Sequence, residues 1–110
     1  MNQQKKTATL EQINHLLEEL NQSVADQKVI KKAIQTAYDT INQPEKESQK
    51  YKQISDAIGN MDYSLQQIAL KKQYHFSEQQ NQLINELREL SRKSQFRSGI
   101  GIINAAAWHF

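Results

Sequence analysis

Cysteine is absent from this 110-residue chain, which contains only one proline and three glycines. Without cysteine, neither a disulfide framework nor a metal site built on thiolates is available. Aromatic residues are also scarce, whereas Gln, Glu, Lys and Leu, which favour helices, are abundant. Few turn-forming residues and many helix formers together predict an all-α protein.

Long apolar runs are missing as well. No stretch of the sequence approaches the roughly 20 apolar residues that a membrane-spanning helix requires. The lysines near the N-terminus are not followed by an apolar run, so a secretory signal is not expected. We therefore expect a cytoplasmic protein. Its length predicts a single domain covering residues 1–110.

The net charge of +2 is too small to indicate nucleic-acid binding by itself. The charge is unevenly distributed, because residues 71–110 carry six bases and three acids, whereas residues 1–70 carry eight bases and nine acids. The C-terminal part is thus mildly cationic. The short clusters of lysine and arginine are typical of solvated helix faces, since a DNA-binding domain needs a stronger basic face.

The strongest helix signal lies between His75 and Ser94. Ser77 is a good N-cap residue, and Gln80 stands three residues later, so the two side chains can form a capping box. An apolar stripe at helical spacing follows, formed by Leu83, Ile84, Leu87 and Leu90.

Three further amphipathic segments precede this helix, and together they predict an antiparallel four-helix bundle with helices at about 9–21, 25–42, 45–73 and 77–94. Thr9 and Gln12 are expected to cap the first helix, and Ser23 or Asp26 the second. One continuous helix from Thr9 to Ile41 is the alternative. Pro44 is expected to separate the second and third helices, since proline suits the first turn of a new helix, and Gly59 within the third helix predicts a close helix crossing or a bend.

Residues 95–110 form an apolar tail, which has no fixed side-chain charge after Arg97 and ends in Trp108-His109-Phe110. Two interpretations are open. The tail could fold back over a seam of the bundle, because large exposed apolar patches are uncommon. Alternatively, it could dock a partner or the membrane surface.

Motifs for catalysis are missing from the sequence. The three histidines are far apart, and none has a metal ligand three or four residues away. Gly99 and Gly101 lack the strand–turn–helix context of a phosphate-binding loop. The sequence therefore predicts neither an enzyme nor a cofactor.

The segment KKQYHFSEQQNQLINELRELSRKS, from Lys71 to Ser94, resembles the hallmark segment of enterocin A-type immunity proteins. These proteins protect bacteria that produce pediocin-like (class IIa) bacteriocins. The similarity lies in a basic turn, an aromatic residue before the Ser77 cap, Gln80, and the stripe that follows. Residues 100–110 have no counterpart that can be aligned, which leaves the identity of the neutralised bacteriocin open.

The resemblance implies a cytoplasmic, non-catalytic antiparallel four-helix bundle, expected to be a monomer that does not bind nucleic acid. Such proteins recognise the membrane-embedded mannose phosphotransferase components once a bacteriocin has locked onto them, with discrimination in the C-terminal half. Peripheral contact with the inner face of the membrane is also expected. Basic residues would steer the protein towards anionic lipid, and aromatic residues would anchor it. The predicted partner-binding residues are Arg88, Arg92, Lys93, Phe96, Arg97, Ile102, Ile103, Trp108 and Phe110.

The competing hypothesis is a helical chaperone or partner of a secreted toxin. That class predicts long uninterrupted helical hairpins and a stable hetero-oligomer, so a continuous helix from Thr9 to Ile41 would favour it. A break near Ser23 would favour the bundle. A small DNA-binding regulator is a third hypothesis, which predicts salt-dependent binding to duplex DNA.

Overall fold

The computed structural model describes residues 3–24 and 26–97, with side chains from residue 4 to residue 94 of these ranges. The described chain is helical and contains no strand. This confirms the all-α prediction. The four helices are α1 (Gln3–Ser23), α2 (Lys28–Asn42), α3 (Glu47–Leu70) and α4 (Glu78–Arg97).

The apolar stripes of the four helices meet in one hydrophobic core. The helical spacing predicted most of its members, because side chains three and four residues apart share a helix face. Val29 is an exception. Although its spacing from Ile30, Ala33 and Ala37 matches the apolar stripe of the second helix, its side chain is exposed. The fully buried large side chains are Ile13, Leu17, Leu20, Ile30, Ile34, Ile41, Ile54, Ile58, Leu65 and Leu87.

The first helix begins earlier than predicted. α1 starts at Gln3 rather than near residue 9, so Thr9 lies inside the helix and does not cap it. Its hydroxyl donates to the carbonyl oxygen of Lys5 at 2.9 Å, an alternative that is open to a threonine within a helix. The first turns are held against α3, where Lys6 lies over the ring of Tyr51 and the Thr7 hydroxyl donates to the Glu47 carboxylate.

The break between the first two helices is present, since α1 ends at Ser23 and α2 begins at Lys28. The predicted caps are wrong. Gln27 occupies the N-cap position of α2 and makes no side-chain capping bond. The Ser23 hydroxyl instead donates to the Leu20 carbonyl of its own helix at 2.7 Å. Val24 is buried, so the chain turns where an apolar side chain enters the core.

The connection from α2 to α3 contains Pro44, and α3 starts three residues after it, with Lys46 at the N-cap. Asn42, at the end of α2, exchanges two side-chain amide hydrogen bonds with Asn14, at 2.9 and 3.1 Å. Gly59 lies within continuous α3, and no atom of another element lies within 4 Å of where a Cβ would stand. The expectation of a close crossing at Gly59 is therefore wrong.

Candidate functional site

The turn that leads into α4 begins with a C-terminal cap on α3. The Gln73 N–H donates to the Ile68 carbonyl, and the Lys72 N–H donates to the Ala69 carbonyl, both at 3.0 Å. This pair of bonds is a Schellman motif. Lys72 has a φ of 58°, in the left-handed region that glycine usually occupies. The helix thus ends at Leu70, three residues before the predicted end. The prediction missed this end because the sequence lacks the glycine that normally marks such a turn.

The predicted capping box at the start of α4 is confirmed. The Ser77 N–H donates to Oε1 of Gln80 at 2.9 Å, and the Gln80 N–H donates to the Ser77 hydroxyl at 3.1 Å. Phe76, which precedes the cap, is buried and packs edge-to-face against Tyr74, with ring centroids 4.9 Å apart. The backbone entry into α4 is therefore held by reciprocal hydrogen bonds and by an aromatic pair.

Gln80 also joins α4 to α1, which sequence reasoning did not predict. Its side chain is buried, with the residue only 4% exposed. The Nε2 group donates to the carbonyl and hydroxyl oxygens of Ser23, each at 3.2 Å, and to the Tyr74 hydroxyl at 3.0 Å. The amide of Gln80 thus caps the start of α4 and is also hydrogen-bonded to the end of α1. No periodic pattern could have revealed this link, because Ser23 is distant in sequence.

The apolar face of α4 is turned into the core. Leu83, Ile84 and Leu87 are buried, and Leu90 packs against the core while half-buried. The opposite face is polar and charged. We refer to four of its exposed charged residues, Glu86, Glu89, Arg92 and Lys93, as the α4 surface.

Arg88 lies at the edge of this surface and is held by an ion pair. Its Nη2 and Nε atoms donate to Oδ1 of Asp62 on α3 at 2.7 and 3.0 Å, and its Nη1 donates to Asn85 at 2.8 Å. The Asp62 side chain is 19% exposed and that of Arg88 is 38% exposed. Arg88 therefore links α3 to α4. Its predicted contact with a partner is not tested by this geometry.

Arg92 is paired with Glu89 one turn earlier, at 2.8 Å, and both side chains are largely exposed. Lys93 is exposed beside it. Of the predicted cations, Arg92 and Lys93 thus lie on the solvent side of α4. Phe96 and Arg97 belong to α4, but their side chains lie outside the described residues, as do Ile102, Ile103, Trp108 and Phe110 of the predicted tail.

A shallow groove of about 240 Å³ runs between α3 and α4 beside these cations. The exposed Gly59 backbone forms part of its wall, because glycine has no side chain to fill the space. Sequence reasoning missed the groove, although an unexplained mid-helix glycine was its signal. The lining residues are Ser55, Ile58, Gly59, Asp62, Arg88, Ser91 and Arg92.

Among residues 3–24 and 26–97, no group of three histidine, aspartate or glutamate side chains is arranged to hold a metal ion. No described helix combines the length and apolar character needed to cross a bilayer. Of the predicted partner-binding residues, Arg88, Arg92 and Lys93 have described side chains, and they lie on α4 beside or on the α4 surface.

Comparison of the chain with protein-family models, with curated proteins and with solved structures finds no match.

Proposed function

We propose that this chain is an enterocin A-type immunity protein, a cytoplasmic, non-catalytic antiparallel four-helix bundle. It protects a bacteriocin producer by binding the mannose phosphotransferase membrane components that a class IIa bacteriocin has locked. The observation that carries the proposal is the folding of the segment from Lys71 to Ser94. Its cap, its Gln80 bridge and its buried stripe together fix the position of α4.

The antiparallel arrangement is supported by contacts between helix ends. Lys31, in the first turn of α2, donates through Nζ to the carbonyl and side-chain oxygens of Asn21 near the end of α1, at 2.9 and 2.7 Å. The bonds between Gln80 and Ser23 join the start of α4 to the same end of α1. Both pairs favour neighbouring helices that run in opposite directions, as in a bundle with short connections.

The break at Ser23 also bears on the choice between hypotheses. A chaperone built on long helical hairpins predicts a continuous helix through this region, whereas α1 and α2 are separate. The interruption therefore favours the compact bundle of an immunity protein. A monomer is the form that we propose.

The partner-binding surface in this proposal is the α4 surface together with residues 95–110, of which residues 95–97 continue α4 beyond its predicted end. Arg92 and Lys93 are exposed and able to meet an anionic partner without breaking contacts in the core. The groove beside Gly59 offers a concave edge for a partner side chain. We propose that Phe96, Trp108 and Phe110 act as apolar anchors, since aromatic residues dominate interface energies.

The decisive experiment is expression of the gene in a strain sensitive to class IIa bacteriocins, followed by exposure to a panel of these peptides. We expect survival against at least one peptide and death against the others, because discrimination is a property of the proposed class. Cells with an empty vector, and cells expressing a Leu87→Asp variant whose core is disrupted, serve as controls. Death under every peptide, with the wild-type protein present and folded, would contradict the proposal.

A further inference from the structure

Two segments that pack together are rich in lysine. Residues 27–38, from the N-cap of α2 onwards, and residues 63–77, at the end of α3 and in the following turn, contain five lysines and no Asp or Glu, and the exposed Asp26 and Glu78 border them. Within the described residues, none of these lysines is in an ion pair with a carboxylate. Lys31 is bonded to Asn21, and the other four, Lys28, Lys32, Lys71 and Lys72, are exposed.

The same two segments hold the exposed large apolar side chains of the described chain, Val29 at 69%, Tyr63 at 66% and Leu70 at 73% exposure. Tyr63 and Leu70 are seven residues apart, so they lie along one stripe of α3. Val29 lies on the α2 side of a groove whose α3 wall includes Ile68. The start of α2 and the end of α3 are therefore neighbours, and Lys32 lines the same groove as Val29.

One of these cations occupies a position that disfavours its charge. Lys28 begins α2, whose first turn contains no acidic residue, and the dipole of a helix disfavours positive charge at its N-terminus. The dipole favours the charge of Lys72 at the end of α3, although its left-handed backbone is one that glycine adopts more easily. Local stability therefore does not account for the lysine at position 28, whereas a requirement for positive charge at this place does.

We call the exposed lysines and large apolar residues of these two segments the α2–α3 surface; they are Lys28, Val29, Lys32, Tyr63, Leu70, Lys71 and Lys72. We propose that the α2–α3 surface binds an anionic phospholipid bilayer. Exposed lysines are attracted to anionic headgroups, and isolated exposed Val, Leu and Tyr side chains can enter the interfacial region. Nucleic acid would be attracted by the same lysines, but exposed Val29 and Leu70 would not strengthen binding to its phosphate backbone. The inference does not depend on the proposed immunity function, because lipid binding can be measured without bacteriocin or receptor.

The surface is distinct from the α4 surface. The bundle would rest on lipid through the start of α2 and the end of α3, which leaves the polar face of α4 directed sideways. A protein that rises from the same membrane would meet that face.

The test is co-sedimentation of the full-length protein with vesicles of phosphatidylglycerol and phosphatidylcholine, compared with vesicles of phosphatidylcholine alone. We expect binding to the anionic vesicles only, and loss of binding as salt is added, because salt screens exposed charges. The variant with Lys28→Gln, Lys32→Gln and Lys71→Gln should bind about 100-fold more weakly, on the order of fivefold per lysine near an anionic surface.

The matched control carries Lys46→Gln, Lys50→Gln and Lys52→Gln at the start of α3, which removes the same charge from outside the α2–α3 surface. It should lose much less binding than the first triple variant. A second variant, with Val29→Gln and Leu70→Gln, keeps the charge and should also bind more weakly. Circular dichroism checks that each variant remains folded. The lysine triple variant should be no less stable than wild type, since Lys28 is unfavourable at its helix start.

Several outcomes would overturn the inference. One is equal loss of binding in the two triple variants, which would indicate general electrostatic attraction. Another is loss of binding only when Arg92 and Lys93 are changed to glutamine, which would assign lipid contact to the α4 surface. Failure of the wild-type protein to bind anionic vesicles, or tighter binding to duplex DNA than to vesicles, would also reject it.

Discussion

The side-chain amide of Gln80 donates to both the carbonyl and the hydroxyl oxygen of Ser23, each at 3.2 Å, across 57 residues of sequence. The Oε1 atom of the same amide accepts the Ser77 N–H. Gln80 is therefore a local helix cap and a long-range connection between α4 and α1. Because the amide is buried, removing the side chain would leave a cavity and would remove one hydrogen bond from each of these partners.

Gln80→Ala is expected to lower the free energy of unfolding by about 2–3 kcal/mol, because a cavity and unpaired polar groups replace the bonded amide. Urea denaturation followed by circular dichroism measures this change. Gln79→Ala, at the exposed neighbouring position, is the control and should change stability by less than about 0.5 kcal/mol. Similar effects of the two substitutions would show that the buried bonds contribute little.

Local patterns in the sequence predicted the all-α class, the capping box and most of the core, since each depends on residues within a few positions of one another. The long-range partner of Gln80 has no such pattern. Thr9 shows the limit of capping motifs, because its hydroxyl can bond within the helix as well as at its start. Val29 matched the apolar spacing of α2 but stands at the edge of its buried face.

The candidate site was less predictable than the fold. The sequence identified the exposed Arg92 and Lys93, but it could not reveal that Arg88 is paired with Asp62 on another helix. A glycine in the middle of a helix indicated a special packing environment at Gly59, but the close helix crossing inferred from it was wrong. A glycine on a helix fits a close contact or an open groove equally well, and only tertiary packing decides between them.

Lys72→Gly should stabilise the protein by about 1 kcal/mol, because glycine adopts the left-handed conformation at the end of α3 without a steric penalty. Lys72→Ala is the matched control, since it removes the same charge but keeps a Cβ at the strained position. It should therefore give no comparable gain. Thermal unfolding of the three proteins distinguishes the two effects. An equal gain from alanine would attribute the change to the lost charge.

Gly59→Ala and Gly59→Met should each raise the free energy of unfolding by about 1 kcal/mol, because glycine weakens a helix interior and the added Cβ meets open space. The two variants should differ in function. The methionine side chain projects into the groove beside Arg88 and Arg92, whereas alanine leaves most of it open. We expect Gly59→Met to reduce protection against bacteriocin while stability rises. Full protection by both variants would exclude the groove from the partner contact.

Arg88 and Asp62 are expected to be coupled by about 1 kcal/mol, since their ion pair is partly shielded from solvent. A double-mutant cycle of Arg88→Gln and Asp62→Asn measures the coupling by urea denaturation. Arg92→Gln combined with Glu89→Gln provides the exposed comparison, whose coupling should lie near zero to 0.5 kcal/mol, a rough range for exposed helix pairs. A coupling no larger at Arg88 than at Arg92 would mean that the link between α3 and α4 contributes little to stability.

Deletion of residues 99–110 tests the role proposed for the tail. The described core is formed by residues up to Leu90, so the truncated protein should remain folded and helical. We expect it to lose protection against bacteriocin, because the deletion removes the proposed anchors Trp108 and Phe110 together with the predicted partner-binding residues Ile102 and Ile103.

A full-length variant with Arg92→Gln, Lys93→Gln and Arg97→Gln separates charge from apolar contact. It retains the anchors and should protect only partially, because steering by charge raises the rate of encounter more than it stabilises the complex. Survival is measured over a range of bacteriocin concentrations, with circular dichroism and protein abundance as controls for folding. If the folded truncated protein protects as well as the full chain, the tail is not part of the mechanism. If the charge variant protects fully, Arg92, Lys93 and Arg97 are ordinary solvated residues, and the partner contact must lie elsewhere on the molecule.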